Sequence, residues 1–373
     1  METTTSQTKN RIQQTHVLGK SFAEKAMQHD INGTFVHENY EFLKSAGYFS
    51  ALIPVELGGG GVSYSEMCNI IRIIGRYCGS TALAFSMHQH LVAAAVWKYR
   101  HKNEGADTLA KIAERQLVLV STGAKDWLGS NGELTKLDGG YLFSAKKHFA
   151  SQSVVGDIAI TSSIFKDSNG NRSVLHFSVP LKQKGVSLME DWDVMGMRAT
   201  GSQTILFDEV FIPETAIALI RKQNEFHPVW NIVLMVAMPL IMAAYLGIAQ
   251  EANNIAIKSA QQNGQQHLIY SIGQLHNVLL AGQAQWKAML GLTNDLDFKP
   301  SEASTANMLA FKTNVSDLAR ETVSLAMEIV GGQSFYKLHR LERLFRDAQA
   351  SQFHPLPKWN QYEFTGKQIL GRE

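Results

Sequence analysis

Leu134-Thr135-Lys136-Leu137-Asp138-Gly139-Gly140-Tyr141-Leu142-Phe143 is two short strand-like runs joined by an Asp-Gly-Gly turn, the pattern of a β-hairpin. It decides the fold because the sequence on either side has a different period. Around it, Leu117 to Val120, Ile158 with Ile160, Val174 to Phe177 and Ile205 to Val210 are further short runs, punctuated by Gly156-Asp157 and Asn169-Gly170-Asn171. Together they predict an antiparallel β unit. Upstream, from about Ser21 to Arg115, apolar residues recur at helical spacing in Phe35 to Leu43 and in Met67 to Arg76. Ile53-Pro54-Val55-Glu56-Leu57 and the four glycines Gly58 to Gly61 separate those helices, because proline and a glycine run cannot continue either one. Beyond Pro213 helical spacing returns in Leu240/Ala244/Ile248, Leu275/Leu279 and Leu318/Leu325/Ile329. The order predicts an α+β protein with an N-terminal α-helical domain over 1–115, a middle β domain over 116–222 and a C-terminal helical domain over 223–373.

Composition narrows the classes of function. Of the 373 residues 45% are hydrophobic and 18% charged, which excludes a disordered or collagenous chain and supplies real cores. Thirty-five Lys and Arg against thirty-three Asp and Glu leave a net charge of +2, too little to attract a polyanion, so nucleic acid is not an expected partner. Cys68 and Cys78 are the only cysteines and can build neither a zinc site nor a disulfide framework, which fits a reducing cytoplasm. Met1 to Gln14 has no apolar core and reads as a frayed start, not a signal peptide. Val229 to Ala249 is long and apolar enough to cross a bilayer, with Pro239 in its middle. It is expected to be a buried helix at the centre of a bundle or a subunit interface, with the proline in its first turn or at a kink, not a membrane span. No internal repeat at solenoid periods is present, and chemistry is expected in the clefts where the β unit borders the helices.

Several stretches, in order and across nearly the whole chain, resemble the acyl-CoA dehydrogenase superfamily of flavoproteins. They are Ile53-Pro54-Val55-Glu56-Leu57-Gly58-Gly59, Asp138-Gly139-Gly140-Tyr141, Lys147-His148-Phe149-Ala150-Ser151, Met195-Gly196-Met197-Arg198-Ala199-Thr200-Gly201-Ser202 and Phe207-Asp208-Glu209-Val210-Phe211-Ile212-Pro213. Near the C-terminus, Ile329-Val330-Gly331-Gly332-Gln333-Ser334-Phe335 and Leu344-Phe345-Arg346-Asp347-Ala348 complete the set. The resemblance implies a middle antiparallel β-barrel or sandwich, a C-terminal four-helix bundle, and an FAD cofactor with FMN as the alternative. It also implies a homotetramer or homodimer and an electron-transfer partner or flavin reductase.

Residue by residue, the resemblance places Phe149 beside the flavin ring and Ser151 at its N5, and gives Val120, Thr122 and Ser130 contacts to the flavin and its phosphates. Ser121-Thr122-Gly123 stands where the family has Thr-Glu-Pro. Gly331 and Gly332 read as a helix C-cap, and the resemblance also brings them close to a neighbouring subunit's cofactor. The Arg-x-Phe-Gly that follows the first long C-terminal helix in the family is replaced by Gln262-Asn263-Gly264-Gln265-Gln266. His88 and His90 fall where the family's N-terminal domain lines the substrate cavity, with His88 the candidate substrate residue; at i, i+2 on a helix only one can face a ligand.

Acyl-CoA dehydrogenation needs a carboxylate to take the α-proton while hydride leaves for the flavin. The family's glutamate would fall at Pro355, and its alternative position at Ala237; neither accepts a proton. Glu363 could serve only if the chain looped eight further residues. His354 instead resembles the histidine of the superfamily's flavin-dependent monooxygenases, near the flavin–oxygen adduct, and imidazole titrates close to neutral pH. Three readings follow: an FAD-dependent oxidoreductase acting on an acyl thioester, a two-component monooxygenase using His354, reduced flavin and O2 on a small organic substrate, or a non-catalytic protein of the same fold.

Overall fold

The computed structural model describes residues 2–122, 128–263 and 268–372; Gly123 and Gly264 to Gln266 lie outside the described residues. Five helices come first: α1 (Glu2–Asn32), α2 (His37–Ser45), α3 (Tyr64–Tyr77), α4 (Gly79–Lys102) and α5 (Ala106–Arg115). The Pro-Gly segment forms the predicted break, and α3 begins where the Ser63 side chain accepts a hydrogen bond from Glu66 N at 3.2 Å, an N-cap that the sequence supplies.

Among the described residues eight strands follow: β1 (Leu119–Ser121), β2 (Glu133–Leu137), β3 (Gly140–Lys147), β4 (Ile158–Lys166), β5 (Arg172–Pro180), β6 (Val186–Leu188), β7 (Ile205–Pro213) and β8 (Leu219–Lys222). They form one sheet in the order β6-β7-β3-β2-β4-β5-β8, with β1 beside β4. The quoted hairpin is β2 and β3, paired from Glu133–Ser144 to Leu137–Gly140. The sheet departs from the antiparallel expectation at two places, since β1 and β2 each run parallel to β4. Strands that are distant in sequence can pair in either sense, and local alternation does not encode which. One face holds an aromatic core in which Phe143 meets Phe177 and Phe207 at centroid distances of 5.0 and 4.7 Å.

The remaining helices are α6 (Trp230–Asn263), α7 (Leu268–Thr293), α8 (Glu302–Val330), α9 (Arg340–Gln349) and α10 (Lys358–Leu370). The bundle is thus three long helices with two shorter ones. Helix α6 packs against α3, α4, α7 and α8 at once. Among the described residues it alone is long and apolar enough to cross a membrane, and 94% of its most apolar window is buried, as expected of a central helix. Pro239 sits in its interior, not in the first turn. A proline gives no N–H to the turn before it and crowds that turn. There the Tyr64 hydroxyl donates to Val236 O at 2.7 Å, and Trp286 Nε1 donates to Pro239 O at 2.9 Å.

Candidate active site

A cavity of about 740 Å³ lies where the sheet, α4, α6 and the segment after α9 meet. From the sheet side come Thr122, Thr161 and Ser162, with Phe149 and Ser151 from the segment after β3. Phe149 is 49% exposed although it is a large apolar residue, and Trp192 meets its ring edge-on at 5.5 Å. Ser151 Oγ is 2.9 Å from Ser202 Oγ, which is 2.7 Å from Thr200 Oγ1, and Thr200 donates to Met197 O at 2.9 Å. Thr122 donates to Thr161 at 2.8 Å, and Ser130 Oγ, outside the wall, is 2.9 Å from the cavity-lining Ser162 Oγ. A broad apolar cavity with an open aromatic face and a row of strand-end hydroxyls fits a flat conjugated ring with polar edges, such as a flavin.

Helix α4 corrects the choice between the two histidines. His88 is fully buried and does not reach the cavity: its Nδ1 accepts from Leu119 N at 3.1 Å and its Nε2 lies 2.8 Å from Phe49 O. With Nδ1 accepting, Nε2 carries the proton and donates to Phe49. His88 therefore ties β1 to the N-terminal helices, and burial holds it neutral at a pKa of about 4. Two residues on, roughly 200° around the helix, His90 lines the cavity. It is 5% exposed, its Nδ1 has no partner among the described residues, and burial lowers its pKa to about 4.

The opposite wall comes from α6 and the residues that follow α9. His354 lines the cavity, and its Nε2 is 2.6 Å from the hydroxyl of Tyr245, a fully buried α6 residue. Burial, helped by the Lys312 charge, lowers His354 to about 3. Lys312 on α8, only 1% exposed, donates to His354 O at 3.2 Å and to Leu356 O at 2.5 Å. Desolvation brings its ammonium down to about 8. His176 on β5 also reaches the cavity; its Nε2 accepts from Arg221 Nε at 2.9 Å, and burial with that guanidinium holds it at about 3.

Two positions where a catalytic carboxylate was expected, Ala237 and Pro355, both line this cavity and bring no ionisable group to it. No Asp or Glu stands among the described lining residues. Glu363 is on α10, where its Oε1 pairs with Lys367 at 3.3 Å, and it is not part of the wall. Arg346, the one arginine among the described lining residues, is held by Asp30 and by Glu342 and donates to Met195 O at 2.8 Å. Next to it Asp347 accepts from Met197 N at 2.6 Å, and burial raises its pKa to about 6.

The structure thus brings Thr122, Phe149, Ser151 and His354 to one cavity and leaves five predicted residues outside it. Val120 is buried in β1, Ser130 stands one hydroxyl behind the wall and His88 is structural. Gly331, with φ 76°, closes α8, and together with Gly332 it is exposed and away from the wall. Tyr245 and Lys312, behind the wall, and His176, within it, match none of the sequence motifs above.

Two family models match the chain: "Acyl-CoA dehydrogenase, N-terminal domain" over residues 6–116 and "Acyl-CoA dehydrogenase, C-terminal domain" over residues 231–354. The chain is 27% identical over 357 residues to "Putative acyl-CoA dehydrogenase YdbM" of Bacillus subtilis (strain 168), covering 91% of each chain. It is also 27% identical over 377 residues to L-evernosamine nitrososynthase of a Micromonospora species, covering 93% of this chain and 86% of the relative. The solved structure of KijD3 in complex with FMN and dTDP-3-amino-2,3,6-trideoxy-4-keto-3-methyl-D-glucose superposes with a TM-score of 0.88 at 25% identity, covering 98% of this chain and 94% of the other.

Proposed function

Because the chain belongs to the acyl-CoA dehydrogenase family and is a flavin-dependent enzyme of that fold, we propose that it is a monooxygenase supplied with reduced flavin, not a thioester dehydrogenase. The observation that carries this reading is the pair Ala237 and Pro355: both face the cavity, and neither can take a proton. Without a carboxylate at either position, the α-proton of an acyl thioester lacks the base that the family's dehydrogenation uses to make hydride transfer feasible. Two relatives, named "L-evernosamine nitrososynthase" and, over 54% of this chain, "Probable FMNH2-dependent monooxygenase SfnC", support the same direction.

Reduced FAD or FMN, when bound, supplies the two electrons that split O2, one oxygen atom going to the substrate and the other to water. The protein's own residues hold and shield this chemistry. The exposed Phe149 ring, flanked edge-on by Trp192, offers an apolar aromatic face, Ser151 presents a hydroxyl backed by Ser202 and Thr200, and His90 and His354 face the space between. The wall is chiefly apolar, which excludes water and suits a small organic substrate with an oxidisable nitrogen, sulfur or aromatic carbon. The reading includes a separate flavin reductase as electron source and a homodimer or homotetramer covering the exposed Phe335, Tyr336 and Leu338.

The test compares two assays on the purified protein. With reduced FMN or FAD and O2, an amine, thioether or indole probe is expected to gain one oxygen atom, which is labelled when 18O2 is used. With acyl-CoA esters and an artificial electron acceptor, no reduction is expected. Acyl-CoA-dependent dye reduction without a reductase would overturn the reading.

A further inference from the structure

The cavity histidine His354 is held from two sides by groups that do not themselves reach the cavity. Tyr245 approaches from α6, with its hydroxyl 2.6 Å from His354 Nε2 and its ring centroid 5.4 Å from the imidazole. That hydroxyl has no other partner among the described residues. A buried phenol that cannot donate elsewhere donates to the acceptor in front of it. Burial and the nearby Asp347 carboxylate raise the phenol's pKa well above its ordinary value, so it keeps its proton. An Nε2 that accepts has its lone pair free, which puts the imidazole proton on Nδ1. No side chain or backbone group among the described residues claims Nδ1.

Lys312 fixes the main chain on the other side. Its ammonium donates to the carbonyls of His354 and Leu356, so both ends of the short turn carrying the imidazole hang on one cation. Just before that turn, Ser316 Oγ and Ser351 Oγ lie 2.7 Å apart, both buried, and join the same stretch to α8. The imidazole thus has a fixed backbone, a fixed ring plane and a fixed tautomer.

We propose that Tyr245 and Lys312 are positioning residues that present His354 as a neutral imidazole with its proton on Nδ1, a hydrogen-bond donor to a reacting oxygen in the cavity and not a base. The use of that donor rests on the monooxygenase reading; the tautomer and its cause do not. Tyr245 and Lys312 touch neither substrate nor cofactor, and both act through His354.

The experiment reads the imidazole directly. Protein with 15N-labelled histidine, mixed with FMN, is studied by two-bond 1H–15N correlation, with a His354→Gln variant to assign the signal. At pH 7.5 the wild type is expected to show a protonated, pyrrole-type Nδ1 and an unprotonated Nε2 at His354. Tyr245→Phe keeps the ring and removes the hydroxyl; its His354 signal is expected to move to a mixture of tautomers, with kcat for oxygenation down by roughly tenfold or more and KM changed less than about twofold. Lys312→Arg, which keeps a cationic donor, is expected to preserve the tautomer, and Lys312→Met to lose it. A wild-type signal with the proton on Nε2, or a Tyr245→Phe signal identical to wild type, would overturn the proposal. The predicted tautomer in a protein that performs no oxygenation would uphold the positioning and sink the monooxygenase reading instead.

Discussion

Gly247 of α6 and Gly75 of α3 lie against each other with no room for a methyl group: a Cβ on Gly247 would stand 2.9 Å from Gly75 Cα and 2.2 Å from Arg72 O. A Cβ on Gly75 would in turn lie 2.5 Å from Ala244 O. The close approach is backbone to backbone, so no rotamer change can relieve it.

Gly247→Ala is accordingly expected to destabilise the protein by about 1–3 kcal/mol, the usual cost of overpacking, even though alanine is the better helix former by about 1 kcal/mol. A lowered midpoint in urea or thermal unfolding checks this. An unchanged or raised midpoint would show that α3 and α6 can separate without loss.

Replacing His354 by alanine is expected to leave flavin affinity nearly intact and to lower oxygenation turnover by roughly 10²–10⁴, the worth of a positioned proton donor or acceptor. Flavin titration and steady-state product formation on the same preparation separate the two effects. Equal turnover in wild type and variant would reduce His354 to a turn residue.

Ser151→Ala removes the end of the Ser151–Ser202–Thr200 hydroxyl chain. Loss of one hydrogen bond to a bound flavin corresponds to about 0.5–1.5 kcal/mol, so flavin is expected to bind roughly two- to tenfold more weakly with a shifted absorption spectrum. Circular dichroism should report an unchanged fold. A variant with wild-type flavin affinity and spectrum would place Ser151 away from the cofactor.

Stability should fall on the acid side. His88 and His90 are lowered to about 4, and His176 and His354 to about 3, while the unfolded chain's imidazoles titrate near 6.5. Between those values the unfolded state binds protons that the folded state refuses, so stability decreases as pH drops from 6.5 towards 4, by up to about 1.4 kcal/mol per pH unit for each histidine. Asp347, raised to about 6, works in the opposite direction below that pH but is one group against four. A thermal midpoint falling steadily from pH 7 to pH 5 is expected; a flat or rising profile would contradict the buried neutral histidines.

Much of this architecture was written in local sequence. The Asp138-Gly139-Gly140 turn specified β2 and β3, and the Pro-Gly break specified the gap between α2 and α3. Strands β6 and β8, of three and four residues, are too short to show a period of two. The parallel pairing of β1 with β4 is a relation between segments that local alternation does not reach. Spacing showed that only one of His88 and His90 could face a ligand. The rotation of α4 decided which, and that rotation is set by the distant Phe49 carbonyl and Leu119 amide. Lys312 did leave a signal: it falls on the buried stripe of α8 between Leu309 and Ser316, where a charge demands a specific partner. Tyr245 left little, since a tyrosine in an apolar run reads first as core, and its hydroxyl's destination lies 109 residues away.

The treatment of charge around the cavity also bears on salt. Arg346 is matched by Asp30 and Glu342, and the three histidines of the wall are neutral at pH 7, so no lining side chain among the described residues offers an uncompensated charge. A neutral ligand entering this space therefore meets no ionic attraction for salt to screen, and its association should be indifferent to ionic strength. Any anionic group that a ligand carries has to find its counter-charge beyond this wall, which divides the recognition of shape from the recognition of charge.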